Sequence, residues 1–525
     1  MKKITFNSIV LPSSGSHLLA PRILKSYLVD KGYARYFDIL LDLYFTDTDN
    51  KTIADKILKK NPSIAAFSVY SWNVLKIKEI SSFLKKENQE IFIILGGPYA
   101  TYAAKELMQS CPIDFIVKGP GEDVLCSVLT SLYNGQSDLS DIPNLVFKKQ
   151  GRVIQTKEEY LFDVSKQTYE LSVHEGEYAI FYYETSRGCP FKCRYCTWNA
   201  SLGKIIYYSK EKIEKDINAI FSLPYVKYLA LCDSDLFLNT KHGVWVLKLI
   251  RRLNAKRRSE SMGQINLLFE INPEFLDEES MREIIYLPEG LNIISCGLQT
   301  QDELVNHLYL NRPYNKQKYK KNLARLFKMA KENNVPERVK KTITIEVIYG
   351  LPGDSLQGFK KTIEFMLSEL KVTNFICFCF EVLPGSYFWE HADDYNMICE
   401  KLPPHHLIRS NDFSKQDMED ARRLVFFMYL FANMFKGIMR YVENKISNNR
   451  LEVYEKIIDM ISGTYPEFVS DIYEKYHHED ENETLLKMMR RQMDKKYSNI
   501  RQNIIKQARE IIKQTQASFK TTSDE

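Results

Sequence analysis

The residues best placed to do chemistry in this chain are three cysteines. Cys189, Cys193 and Cys196 lie within Glu184-Thr-Ser-Arg-Gly-Cys-Pro-Phe-Lys-Cys-Arg-Tyr-Cys-Thr-Trp198. The spacing C-x3-C-x2-C gathers three thiolates on one loop, which suits a soft metal or an iron–sulfur cluster. A structural zinc site closes with four ligands, so three do not complete one. They do suit a cubane that leaves one iron open. Only these three of the ten cysteines are clustered. That pattern predicts reduced thiols in a cytoplasm, with neither a disulfide framework nor an auxiliary cluster. Cys377 and Cys379 alternate on a strand, where both could face a barrel interior, although ordinary core thiols need no such role. Arg187, just before the cysteines, could balance charge at the loop or pair with an acid. His405-His406 and His477-His478 lack further ligands and read as solvated pairs.

Such a loop has to be held by ordered elements. Apolar strands alternate with helical segments from residue 179 to about 390, at the spacing of β/α-barrel units. The strands fall at 179–184, 228–232, 265–271, 292–298, 342–349 and 375–382, predicting a partial (β/α)6 barrel of TIM type. Polar residues at the carboxyl ends of barrel strands line the mouth. This singles out Asp233, Asp235, Glu270, Asn272, Gln299 and the loop Gly350-Leu-Pro-Gly-Asp354. Asp235 and Glu270 follow apolar strands, where an unpaired charge is costly.

Residues 1–140 show the same alternation and predict an α/β unit of Rossmann-like (flavodoxin-like) form, a doubly wound parallel sheet. Its ligand loops are Pro12–His17, Tyr70–Asn73, Gly96–Thr101 and Gly119–Glu122. A linker, 141–178, carries a small hairpin. From 391 to 525 the chain is helical and charged, and reads as a cap over the barrel mouth or a partner-binding region. With 44% hydrophobic and 26% charged residues the composition is that of a soluble protein. The net charge of +5 is spread along the chain and gives no nucleic-acid signal. The first residues read as a strand, not a signal peptide, and no apolar run has bilayer length.

The cysteine motif has an aromatic, Tyr195, before its last cysteine and so resembles that of the radical S-adenosylmethionine (SAM) superfamily. The runs 67–73, 95–101 and 117–122 resemble the cobalamin-binding domain that precedes many radical SAM barrels. Together they resemble the class B radical SAM methyltransferases. That resemblance implies an enzyme with a [4Fe-4S] cluster on Cys189, Cys193 and Cys196, SAM on its open iron, and cobalamin. It implies SAM contacts from Tyr195, Asp235, Glu270, Gln299, Gly350 and Leu351. Cobalamin contacts are implied for Ser68, Tyr70, Trp72, Asn73, Gly96, Gly97, Pro98, Thr101, Gly119, Gly121 and Glu122. The D-x-H-x-x-G motif is absent, and His17 is the only nearby histidine. The lower cobalt face is therefore expected to lack a protein ligand and to be covered by Trp72. The implied reaction methylates an unactivated carbon (or phosphorus) of a small molecule or peptide. Its electrons come from an external reductant such as flavodoxin or ferredoxin. A cobalamin enzyme catalysing oxidation, cyclisation or rearrangement is the first alternative. A cluster-bearing regulatory protein without turnover is the second. A methylthiotransferase would carry three further clustered cysteines, which are missing.

Overall fold

In the computed structural model the described residues are 1–12, 18–136, 138–159, 180–198, 203–290, 292–478 and 497–521. The loop end containing His17 and residues 160–178 of the linker lie outside them.

Five parallel strands build the first sheet: β1 (Lys2–Val10), β2 (Phe37–Phe45), β3 (Ile64–Ser68), β4 (Phe92–Gly96) and β5 (Phe115–Val117). Their order is β2-β1-β3-β4-β5, the flavodoxin-like arrangement. Alternate side chains of each strand enter two separate cores. Ile9, Phe67, Ile93 and Leu95 pack on one face with the helices Asn50–Leu58 and Val74–Glu87. Ile4, Phe6, Ala66 and Val117 pack on the other with Leu19–Asp30 and Glu122–Tyr133. The hairpin read as part of the linker joins this sheet: β6 (Leu145–Lys149) and β7 (Arg152–Gln155) continue it antiparallel beyond β5.

The second sheet has six parallel strands in sequence order, an open barrel. These are β8 (Ile180–Tyr183), β11 (Tyr228–Leu231), β12 (Asn266–Ile271), β13 (Ile293–Gln299), β14 (Ile343–Tyr349) and β15 (Phe375–Cys379). Between β8 and β11 a short antiparallel pair, β9 (Ser186–Gly188) and β10 (Ile205–Tyr207), flanks the cysteine loop. Period-two alternation sorts the side chains. Phe181, Leu229, Phe269, Cys296, Val347 and Cys377 face the helices and are buried. Tyr182, Glu270, Ser295, Gly297, Glu346 and Phe378 face the lumen and stay at least partly open. Cys377 and Cys379 therefore belong to the outer core and not to the barrel interior.

An open barrel leaves two strand edges to be covered. Helix Leu19–Asp30 of the first domain packs on β8, with the Arg22 guanidinium 4.6 Å from the Phe181 ring centre. At β15 the hydroxyl of Tyr429, on helix Lys415–Asn433, accepts a 2.7 Å hydrogen bond from the Cys377 N–H. The helices after residue 415 share the barrel's outer core through Phe427, Phe431, Tyr454 and Ile504. The Leu451 N–H is also bound to Glu364 at 2.7 Å. This region braces the outer layer and the β15 edge, which corrects the expectation of a cap over the mouth. Its reach to the mouth is local: Met418 fills the space beside Gly350 where a Cβ would sit. Among the described residues no helix is long and apolar enough to cross a membrane.

Candidate active site

The carboxyl ends of the two sheets face each other. Ser71, after β3, donates to Glu381 at 3.4 Å. Tyr99, after β4, meets His405 at 2.9 Å. The Tyr102 ring lies where a Cβ on Gly385 would fall, at 2.1 Å, and Gly385 has φ +84°, so only glycine fits there. Past β5, Glu122 is bonded to Arg187 at 2.8 Å. His405 is thus buried and hydrogen-bonded, and His406 lies 3.2 Å from Glu400, which corrects their reading as a solvated pair. The side chains of His477 and His478 lie outside the described residues.

In the order β2-β1-β3 the connections reverse direction between β1 and β3, the switch point at which such sheets bind ligands. A shallow cleft opens there, lined by Ser8, Val10, Leu19, Ser68, Tyr70 and Trp72, among others. Tyr70 and Trp72 stack at 4.4 Å with an interplanar angle of 9°, and Trp72 stays 43% exposed. The result is a flat aromatic platform. Asn73 is buried and fully engaged: its amide donates to the Ile9 and Ser68 carbonyls, and its oxygen accepts from the Tyr70 N–H. It pins the switch point and is not free to contact a ligand. Gly97 has φ +95°, and a Cβ there would come within 2.9 Å of the Val69 backbone. Thr101 ties the neighbouring loops together, donating to the Gly97 carbonyl and accepting from the Gly119 N–H. Gly96 and Pro98 flank Gly97 at the end of β4, while Gly121 packs toward Leu24, away from the cleft. One oxygen of Glu122 accepts from Arg187, which holds this side chain at the junction of the two sheets.

The cysteine loop is fastened from below. The Arg194 N–H bonds to the Leu310 carbonyl at 2.9 Å, its guanidinium donates to the carbonyls of Leu308 and Tyr309, and Asn311 donates to the Lys192 carbonyl. Tyr195 packs against the barrel core and bonds to the Cys193 thiol. Burial pushes the Cys193 and Cys196 thiols upward, that of Cys196 to about 12, and the neighbouring thiols add to the shift. Bound iron reverses this preference by taking the place of the proton. Among the described residues no three His, Cys, Asp or Glu converge on a single ion. Three thiols on one loop are the donor set that suits an iron–sulfur cluster.

Above the loop, each Asp235 oxygen accepts a backbone N–H, one from Phe237 at 2.8 Å and one from Asn272 at 2.7 Å. Burial pushes its carboxyl up to about 7. Asp233 accepts from Thr185 and Ser186 and joins β11 to the start of the loop. Both aspartates therefore shape turns. Gln299 ends β13 at a bulge with φ +64°, a conformation rare for non-glycine residues and common near functional sites. Its Oε1 is sealed from solvent without a hydrogen-bond partner, an orphan that a bound ligand would satisfy. Leu351 is fully buried, so only its backbone could meet SAM.

Two residues were missed from sequence. Glu346 faces the lumen from β14 and is paired in register with Gly297. Burial, then Glu346, pushes Glu270 up to about 8. Arg312 is buried, donates to the Gly297 carbonyl at 2.7 Å, and lowers the pKa of Cys193 and Asp235. The first could have been found as a lone charge within the apolar run Ile343–Tyr349.

Because Glu270 has its folded-state pKa raised above the usual 4.5, the fold favours the neutral acid. The associated stability is full below 4.5 and is lost as pH rises through about 8. Glu270→Gln is therefore expected to stabilise cofactor-free protein at about pH 9 and to change little near pH 5. Allowing for water in the lumen, the gain is about 1–2 kcal/mol. Thermal unfolding at the two pH values checks this, and a variant no more stable at the higher pH would refute it.

Comparison with known proteins fits this geometry. Residues 16–129 match the B12 binding domain and residues 183–366 the Radical SAM superfamily. The chain thus joins a region that matches the B12 binding domain to one that matches the Radical SAM superfamily, and it spans less than two thirds of the first curated relatives it matches. It is 27% identical over 280 residues to the uncharacterized methyltransferase PH0819 of Pyrococcus horikoshii, covering 50% of this chain and 59% of that protein. It is 23% identical over 197 residues to the cobalamin-dependent radical SAM methyltransferase TokK of Streptomyces tokunonensis, covering 35% and 28%. Its fold is similar to that of the cobalamin-dependent SAM radical enzyme OxsB with aqua-cobalamin bound. There the TM-score is 0.64 at 14% identity, covering 99% of this chain and 81% of that one.

Proposed function

We propose that this chain is a cobalamin-dependent radical SAM methyltransferase that methylates an unactivated carbon of a small molecule or peptide. The observation that carries this reading is the apposition of the two sheets' carboxyl ends, with the cysteine loop on one side and the switch-point cleft on the other. When bound, the cluster with SAM supplies a 5′-deoxyadenosyl radical and cobalamin supplies a transferable methyl group. The chain's own residues hold and orient. Cys189, Cys193 and Cys196 anchor the cluster, while Gln299, Glu270 and the Gly350–Leu351 backbone frame SAM. The Tyr70–Trp72 platform and the Gly97 and Gly119 turns would hold cobalamin. The interface contacts around Tyr99, Tyr102 and Gly385 keep water from the gap between the sites. Methyltransferase relatives and a cobalamin-bound structural neighbour support this reading. Electrons come from an external one-electron donor such as flavodoxin or ferredoxin, and a cytoplasmic setting suits the free cysteines.

The test is anaerobic reconstitution with iron, sulfide and hydroxocobalamin, followed by gel filtration and corrinoid assay. We expect about one corrinoid per chain, SAM cleavage under reduction, and with the right substrate a product heavier by one methylene. Cluster loading and SAM cleavage without retained corrinoid would remove the cobalt step and leave the first domain as a scaffold.

A further inference from the structure

Arg187 sits where the two domains meet. Its Nη1 donates to Glu122 at 2.8 Å, and its Nε and Nη2 donate to Glu184 at 2.8 and 2.5 Å. The Tyr208 hydroxyl donates to the same Glu184 oxygen. The three charged side chains are only 18%, 5% and 10% exposed for Arg187, Glu122 and Glu184. On one side, Glu122 begins helix Glu122–Tyr133 directly after the Gly119 turn, which Thr101 links to Gly97. On the other, Arg187 lies on β9 two residues before Cys189, and the Gly188 carbonyl between them accepts from Ser234 at 2.8 Å. One buried ion network therefore touches the turns beside the cleft and the root of the cysteine loop. Neither can shift without separating buried charges.

We propose that Arg187 is a positioning residue that couples the two cofactor sites. Loading the cluster fixes the loop that carries Arg187, which fixes Glu122 and the Gly119 turn and so strengthens cobalamin binding. By linkage, bound cobalamin strengthens cluster retention by the same factor. The inference rests on the reading that the first domain binds cobalamin and the cysteine loop a cluster.

Equilibrium dialysis of full-length protein against hydroxocobalamin, in cluster-free and cluster-loaded forms, tests it. Wild type is expected to bind at least about fivefold more tightly when the cluster is loaded, the lower range of ordinary coupling. In Arg187→Met and in Glu122→Gln that ratio should fall to about one. Glu122→Gln leaves the Arg187–Glu184 pair intact, so it carries the test if Arg187→Met fails to fold. Equal wild-type affinities in both forms would overturn the coupling, as would a ratio that persists in the variants. No cobalamin binding in any form would overturn the functional reading itself.

Discussion

Replacing Cys189, Cys193 and Cys196 together by alanine is expected to abolish the iron–sulfur absorbance and to reduce SAM cleavage to the level of reductant alone. These thiols are gathered on one loop, whereas the other cysteines are scattered along the chain. The loop itself should survive. Its shape rests on the Arg194 bonds to residues 308–310, on the Asn311 bond to Lys192, and on Phe191 stacked over Phe275 at 6.2 Å. Cobalamin should then still bind, at the affinity of cluster-free wild type, and cofactor-free unfolding should barely change. That combination separates a lost cofactor from a lost fold. SAM cleavage above background in the triple variant would refute the assignment.

What could be read in the sequence was what depends on local spacing. The cysteine motif is contiguous, and the strands announce themselves because an apolar run between turn residues has few other solutions. Which face of a strand meets the lumen was harder. Cys377 and Cys379 alternate correctly, yet the sequence of β15 does not say that Ile376 and Phe378, not the thiols, point inward. Long-range pairing was hidden altogether. Glu122 follows a glycine turn and looks like a ligand residue, but its partner is 65 residues away. Asn73 was expected at the ligand because it closes the loop Tyr70–Asn73, whereas its amide joins β1 to β3. In the C-terminal region, helical periodicity marked apolar faces without saying what they cover. Tyr429 on the edge of β15 and Met418 beside Gly350 supply that answer.

Arg312 is the clearest case of a residue whose importance lies in long-range contacts, and its replacement should be the most damaging single change outside the cysteines. It follows the turn Val305–Tyr309, is 9% exposed, and donates to the Gly297 carbonyl and to Asn306. Gly297 begins the bulge that sets Gln299, and Asn306 is itself bonded to the Thr300 carbonyl. The guanidinium also provides positive charge beside Cys193, Asp235 and Glu274. Arg312→Met would remove the positive charge beside those groups and leave the Gly297 carbonyl without this donor. Removing a charged donor from a buried hydrogen bond costs about 1.5–3 kcal/mol. We therefore expect a lower urea midpoint for the cofactor-free variant and, after reconstitution, less iron per chain. Arg312→Lys keeps the charge but not the two-pronged donor, and should fall between the two. If Arg312→Met unfolded like wild type and took up a full complement of iron, the loop would be set by its backbone bonds alone. The guanidinium would then be packing, with no part in holding the cluster.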